Sequence, residues 1–290
     1  MRGHLLGLIL FGLAGCGGST DPAAKPSDPT LQRDANAAQL ALQLERPEEA
    51  VARYQEALTR AQARDDLAAI GDLGYNLAVA ELEANHPNRA LDVARSTEQE
   101  LRRRGATPFP ALLLVEATAL YRLGNLDAAD QLARKTAAAS DKQAAARATF
   151  LSGLIADDRG DEGKLVAAAG ALGGATDPSL QADAAELAAR MALRQGNQAG
   201  ARQAAERSVI LRQQTLDYRG LARALALGGE AAKRAGDAKA ASDLYLRAGR
   251  SAAAQGEKES ARVWLKRAAD LATEDSVRDA ATKLLGEIGS

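Results

Sequence analysis

The amino-acid sequence predicts an all-α protein, in which antiparallel helix pairs stack side by side into a solenoid of about 13–14 helices. Alanine is abundant and aromatic residues make up only 3% of the 290 residues, which favours closely packed helices over a β-sandwich or barrel. Apolar residues recur at helical spacing. The same helix-turn-helix pattern also returns every 36–40 residues, so we expect one repeat array.

The clearest helix pair lies between Ala222 and Ala248, where Gly236-Asp237 separates two amphipathic segments. Each segment carries one apolar stripe at helical spacing. The stripes are Leu225, Gly228, Gly229 and Ala232, and then Ala241, Leu244, Tyr245 and Ala248. The small residues predict a close approach of the two backbones, with Leu244 and Tyr245 filling the space around them.

An alanine or leucine shortly after each turn marks the repeat along the chain. These anchor residues are Ala50, Ala90, Ala129, Leu165, Ala201, Ala241 and Ala261. The first five intervals measure 40, 39, 36, 36 and 40 residues, but the last measures only 20. The sequence therefore predicts a regular array whose phase breaks near residue 250. A non-repetitive helical bundle with the same local helices is the alternative.

This pattern resembles the tetratricopeptide repeat, a helix-turn-helix unit of 34 residues. The resemblance rests on small-residue pairs such as Gly228-Gly229 and Ala188-Ala189, on Gly-Asn or Gly-Asp turns, and on the alanine after each turn. The early tryptophan of the first helix is missing, the terminal proline is irregular and the period is longer. The resemblance implies a right-handed solenoid over residues 31–290, with a concave surface that holds a protein or peptide.

Helix boundaries fit a single domain. Asp177 precedes Pro178, and Asp141 precedes a helix expected over 142–156, so both carboxylates are predicted N-caps. Turns are expected at 104–110 and 172–178. Residues 276–288 place apolar side chains on one face and charged ones opposite, which predicts a polar-backed capping helix at the end of the array.

The N-terminus indicates export. Residues 1–15 combine Arg2 with a short apolar run, Leu5–Leu13, as in a signal peptide. The run is too short for a membrane span, which needs about 20 residues. Leu13-Ala14-Gly15-Cys16 resembles the lipobox of bacterial lipoproteins, and Cys16 is the only cysteine in the chain. A plain secretory signal with an incidental cysteine is the alternative.

The lipoprotein resemblance implies cleavage before Cys16 and attachment of two or three acyl chains, palmitate among them, to that residue. Because Gly17 rather than Asp follows the cysteine, the family rule for a Gram-negative cell places the protein in the outer membrane, facing the periplasm. Residues Gly17–Thr30 contain three prolines and no apolar period. They predict a disordered tether that reaches on the order of 20 Å.

The sequence offers little catalytic chemistry. After cleavage the only histidine is His86, in a turn, and no nucleophile motif or phosphate-binding loop accompanies it. The acidic residues 157, 158, 161 and 162 lack calcium-loop spacing and are expected to be a solvated cluster. A net charge of −1 does not favour nucleic acid as a partner. We therefore expect a non-enzyme with no cofactor and no metal.

The resemblance places partner contacts on the first helix of each repeat. The candidate partner-binding residues are Tyr75, Asn76, Thr118, Tyr121, Arg122, Arg190, Arg194, Arg223 and Arg234. Aromatic residues and arginines are the types that most often anchor interfaces. The expected function is a non-enzymatic scaffold of the cell envelope. Alternatives are a regulator of a peptidoglycan-synthesising, secretion or pilus machine, and a small-ligand-binding lipoprotein.

Overall fold

The computed structural model describes residues 28–289, which form fourteen α-helices and, within that range, no strand. The helices are α1 (Pro29–Gln43), α2 (Pro47–Ala63), α3 (Leu67–Glu83), α4 (Pro87–Arg103), α5 (Pro110–Arg122), α6 (Leu126–Ala137), α7 (Lys142–Arg159), α8 (Glu162–Leu172), α9 (Pro178–Arg194), α10 (Gln198–Thr215), α11 (Tyr218–Arg234), α12 (Ala238–Ala254), α13 (Lys258–Leu271) and α14 (Asp275–Gly289). The predicted all-α class and helix number are confirmed.

Each helix packs against the helix before it and the helix after it, which is the arrangement of a solenoid. The odd-numbered helices α3, α5, α7, α9 and α11 also contact one another in series. Among the described helices, the even-numbered ones make no comparable contact until α12 meets α14. Because helices on the inside of a curve lie closer together, these five odd-numbered helices form the inner layer. We call its interior surface the inner face.

The anchor residues explain the repeat and its break. All seven are fully buried, because each faces the partner helix across the turn. Six of them lie on the even-numbered helices α2 to α12, whereas Ala261 lies on the odd-numbered helix α13. At the predicted phase break an odd-numbered helix, α13, carries the anchor pattern of the even-numbered ones. Beside it α12 contacts α14, as the odd-numbered helices contact one another earlier in the array.

The turns within the six helix pairs from α1–α2 to α11–α12 share one backbone geometry, in which a residue with positive φ follows the first helix. At Gly236 the chain adopts a φ of 80°, which glycine tolerates without a steric cost. The Gly236 amide donates to the Lys233 carbonyl at 3.1 Å, and the Asp237 amide donates to the Ala232 carbonyl at 3.0 Å. These bonds satisfy the last carbonyls of α11. The Asp237 side chain then caps α12 by accepting from the Ala240 amide at 3.0 Å.

The helix pair α11–α12 confirms the predicted close approach. A Cβ atom at Gly229 would lie only 3.2 Å from the Tyr245 ring, so the ring rests directly on the glycine backbone. A Cβ atom at Gly228 would lie 3.5 Å from Leu244. The Tyr245 hydroxyl, at the far end of a fully buried side chain, donates to the Glu230 carboxylate at 2.7 Å. Small residues on one helix thus determine which large residues the other can carry.

Most predicted boundaries are confirmed, with two adjustments. Asp177 accepts from the amides of residues 179 and 180, and Asp141 caps α7, which continues to Arg159 rather than 156. α1 begins at Pro29, inside the predicted tether, because Asp28 accepts from the amides of residues 30 and 31. The predicted signal peptide, Cys16 and the rest of the tether lie outside the described residues. None of the described helices is long and apolar enough to cross a membrane.

Candidate functional site

The nine candidate residues all lie on inner-layer helices. Tyr75 and Asn76 are on α3, while Thr118, Tyr121 and Arg122 are on α5; Arg190 and Arg194 are on α9, and Arg223 and Arg234 are on α11. The structure also brings α7 to the inner face, although no candidate residue lies on that helix. Arg212 of α10 reaches the same region, where it pairs with Asp183. All nine predicted residues thus lie on helices of the inner layer, and the contacts of each side chain determine which of them remain unpaired.

Glu186 of α9 is the centre of a buried ion-pair network. Its side chain is 0% exposed and faces three arginines. Oε1 accepts from Arg190 at 3.0 Å and from Arg223 at 3.0 Å, and Oε2 accepts from Arg212 at 2.5 Å. Burial alone would raise the pKa of Glu186. The charges of Arg223, Arg190 and Arg212 outweigh that effect and hold the pKa well below its usual range.

Asp183 lies one helical turn before Glu186 on the same face. Its carboxylate accepts from Arg212 at 3.0 Å. Burial raises the pKa of Asp183 to about 6, and the Arg212 charge offsets only part of that effect. Two buried carboxylates one turn apart therefore have pKa values displaced in opposite directions, because Arg212 and its neighbours favour the charge on Glu186.

The network continues along α7. Asp157 accepts from Arg190 at 2.8 Å and from Arg194 at 2.5 Å, and Asp158 accepts from the Tyr121 hydroxyl at 2.8 Å. The expectation that this acidic cluster is only solvated is therefore wrong for these two carboxylates. Helices α5, α7 and α9 bring the partners together, which a pattern read along one helix could not show.

Three candidate arginines have a structural role at helix ends. Arg122 donates to the Leu82 carbonyl at 2.6 Å, and Arg234 donates to the Leu193 carbonyl at 2.7 Å. Arg194 donates in the same way to the Asp157 carbonyl. Each arginine thus satisfies a carbonyl near the C-terminal end of a preceding inner helix. These guanidinium groups connect successive repeats and are not free for a partner.

The aromatic side chains of the inner face are also partly engaged. The Phe150 ring lies below two guanidinium groups, with Arg212 at 5.8 Å and Arg223 at 6.0 Å from its centroid. Tyr75 packs edge-on against Phe109, with 5.7 Å between the ring centroids. Sequence reasoning missed Phe150. Its position three residues after Arg147, on one face of α7, was the available signal.

A part of the inner face keeps uncommitted polar groups. Among the described residues, Asp72 and Asn76 on α3 and Arg147 on α7 have no hydrogen bond or ion pair through their side chains. Asp72 and Asn76 are one helical turn apart and share a face. The charge of Arg147 acts on Tyr75 across the inner face, where it partly offsets the rise in pKa that burial causes in Tyr75. Thr118, by contrast, donates to the Leu114 carbonyl of its own helix.

His86 lies in a turn, as the sequence predicts, and its ring contacts two carboxylates. Its Nδ1 lies 2.8 Å from the Glu81 carboxylate and its Nε2 lies 3.5 Å from that of Glu48. The ring therefore links the end of α3 to the start of α2, just before α4 begins. Trp264 is half-buried against α14 and the buried residues of α12.

Two surface depressions lie away from these groups. One, of about 520 Å³, lies between α1 and α2, and the other, of about 280 Å³, lies between α4, α5 and α6. Neither is lined by any of the nine candidate residues. Among the described residues no group of three or more histidine, cysteine, aspartate or glutamate side chains is arranged to hold a metal ion.

No family model and no curated protein sequence matches this chain. Solved structures do match. The apo form of the quorum sensor NprR from B. thuringiensis has 10% identity and a TM-score of 0.58, over 90% of this chain and 87% of that one. A STAND protein with a tetratricopeptide repeat sensor from Pyrococcus horikoshii has 14% identity and a TM-score of 0.51, over 89% of this chain and 42% of that one.

A tetratricopeptide repeat protein from Parabacteroides merdae is also similar, with 16% identity and a TM-score of 0.48, over 91% of this chain and all of that one. At these identities the likeness concerns the fold alone. The order of the helix pairs, their packing and the first two of these matches identify the fold as a tetratricopeptide-like α-solenoid.

Proposed function

We propose that this chain is a non-enzymatic adaptor of the bacterial cell envelope. The inner face binds a protein or peptide partner, and a lipidated Cys16 anchors the chain to the outer membrane on its periplasmic side. The lipobox-like sequence and the single cysteine support the anchor. Two of the structural neighbours are described as a quorum sensor and as carrying a repeat sensor, which agrees with a recognition role.

The proposal rests on two parts of the inner face, one whose charged groups are paired with one another and one whose polar groups have no partner among the described residues. The Glu186 network holds α7, α9, α10 and α11 in fixed positions. Beside it, Asp72, Asn76 and Arg147 present an acceptor, an amide and a cation that no described residue uses. A rigid surface with free polar groups loses little conformational entropy when a partner binds, so its hydrogen bonds contribute more fully to affinity.

Partner capture tests this assignment. We expect the double variant Asn76→Ala/Arg147→Ala to recover about tenfold less partner than the wild type, because the loss of an interface anchor typically costs at least 1 kcal/mol. The measurement is crosslinking in intact envelopes, followed by purification of the full chain and quantitative mass spectrometry of what it retains.

The matched control is Arg207→Ala, which removes an exposed arginine of α10 that has no side-chain partner among the described residues. It should recover as much partner as the wild type. Equal recovery by the inner-face double variant would show that the partner does not bind there. Recovery of no specific protein by the wild type would contradict the adaptor proposal as a whole.

The anchor has its own test. In cells fed an alkyne analogue of palmitate, the wild-type chain should take up the label and the Cys16→Ala variant should not, because no other thiol is present. The wild type should also remain with the membrane fraction, since two or more acyl chains give stable attachment. If the Cys16→Ala chain still takes up the label, Cys16 is not the site of lipid attachment.

A further inference from the structure

One contact joins parts of the solenoid that are distant along the chain. Arg219, at the start of α11, donates to the Glu83 carboxylate at 3.1 Å and also to the Glu83 carbonyl, at the end of α3, 136 residues away. It donates as well to the Glu257 carboxylate, just before α13, at 2.5 Å. Nearby, the Asn85 side-chain amide donates to the Gly256 carbonyl at 3.3 Å. We call these five residues the latch.

The latch differs in chemistry from the other contacts between repeats. Successive helices share buried apolar clusters, but none of the apolar clusters in the described chain extends from the α3–α4 turn to the start of α11 or the α12–α13 turn. The latch is therefore held by hydrogen bonds and ion pairs alone. The Glu83 side chain is 47% exposed, so water and salt reach one side of it.

Like charges meet beside the latch. Arg122 of α5 lies close enough to Arg219 that burial and the Arg219 charge both lower its pKa, while Glu83 and Glu257 act in the opposite direction. Two guanidinium groups thus remain close together because two carboxylates lie beside them. Weakening either carboxylate contact leaves a repulsion that favours separation.

We propose that the latch opens and closes, and that its opening exposes the inner face to a partner. In the closed state the end of α3 contacts the start of α11, four repeats further along, so the solenoid is joined across its inner side. Opening would widen the inner face and release the side chains of Arg219, Glu83 and Glu257, which the latch holds together. The role in partner access rests on the proposed function, whereas the opening itself does not.

The test measures the distance across the latch. Spin labels are attached to cysteines introduced at Asn88 and Lys258, two exposed residues on either side of it, in full-length chain carrying Cys16→Ser. Pulsed electron paramagnetic resonance then gives the distribution of distances between the two labels. At about 0.05 M NaCl we expect one short, narrow population. At about 1 M NaCl, where the screening length falls to about 3 Å, we expect a second, longer population.

Arg219→Gln should show the longer population at low salt, and Glu83→Gln should do so to a lesser extent, because it leaves the contact to Glu257. Arg207→Gln, on the outer layer, should match the wild type. A second label pair at Asn88 of α4 and Gln131 of α6, two helices that both pack against α5, should keep one distance in every variant and so report that the chain remains folded.

The proposal is overturned if Arg219→Gln retains the wild-type distribution, since the contact would then not hold the two parts together. It is also overturned if the wild type stays narrow at high salt, which would mean a permanent closure. The measurement contains no partner, so either failure leaves the adaptor proposal to its own capture experiment.

Discussion

Replacing Glu186 with glutamine should lower the free energy of unfolding by about 3–5 kcal/mol, the cost of removing one partner from a buried ion pair. The substitution preserves the size of the side chain but removes the negative charge that pairs with Arg190, Arg212 and Arg223 together. Arg223 is then the most affected, because Arg190 keeps its ion pair with Asp157 and Arg212 keeps those with Asp183 and Asp217. Urea denaturation followed by far-UV circular dichroism measures the loss.

The network also makes a regional prediction. In a solenoid, stability is approximately a sum of contributions from each repeat and its neighbours. Loss of the Glu186 charge should therefore destabilise α7 to α11 more than α1 to α4. The rate of amide hydrogen exchange should then rise more in α7 to α11 than in α1 to α4. Uniform acceleration over all helices would contradict this interpretation.

Asp243→Asn is the matched control. It removes one charge from an exposed pair with Arg247, whose two charged groups lie 3.6 Å apart. The expected change in the free energy of unfolding is within about 0.5 kcal/mol, as for most exposed pairs.

The difference in the free energy of unfolding between the wild type and Glu186→Gln should shrink as the pH falls. The pKa of Glu186 is strongly depressed in the folded chain, so its stabilisation is fully present above the unfolded pKa of about 4.3 and is lost progressively as the pH falls from there towards the folded pKa.

Replacing Gly249 with alanine should cost about 1–3 kcal/mol, although alanine is the better helix former. A Cβ atom at this position would lie 2.6 Å from Cγ of Leu265 and 3.2 Å from its backbone nitrogen. Leu265 is fully buried, so α12 and α13 would have to separate to accommodate the methyl group. The measurement is the urea midpoint at an unchanged slope.

Gly286→Ala provides the comparison with the opposite sign. This glycine lies in α14, where an added Cβ atom would meet no heavy atom within 4 Å. Only helix propensity changes, so we expect a gain of up to about 1 kcal/mol. If both variants were stabilised, the close approach of α12 and α13 would be looser than described.

The sequence alone predicted the helix pairs, their order and most of their ends. These features depend on local chemistry. The spacing of small and large residues places one stripe on each helix, as in Gly229 and Tyr245, and the Gly-Asp turn fixes the left-handed residue before a capping carboxylate. The seven anchor residues could be recognised in the sequence because each lies at a similar position after a turn.

Whether each candidate side chain is paired within the fold or free could not be predicted in the same way. Arg190, Arg194, Arg223 and Arg234 have the residue type of a binding surface, yet each is paired within the fold. Their partners, such as Asp157 and Glu186, are on the same helix or up to two helices away. Pairing across that distance depends on the curvature of the array, which no single helix encodes.

Sequence by itself therefore determined the architecture of this protein, because helix formation and the packing of neighbouring helices depend on residues close together in the chain. The tertiary structure alone decided which inner-face groups are free and that Arg219 reaches Glu83. Both outcomes depend on how small rotations between repeats accumulate along the solenoid. Whether two residues 136 positions apart come into contact is decided by the total of those rotations.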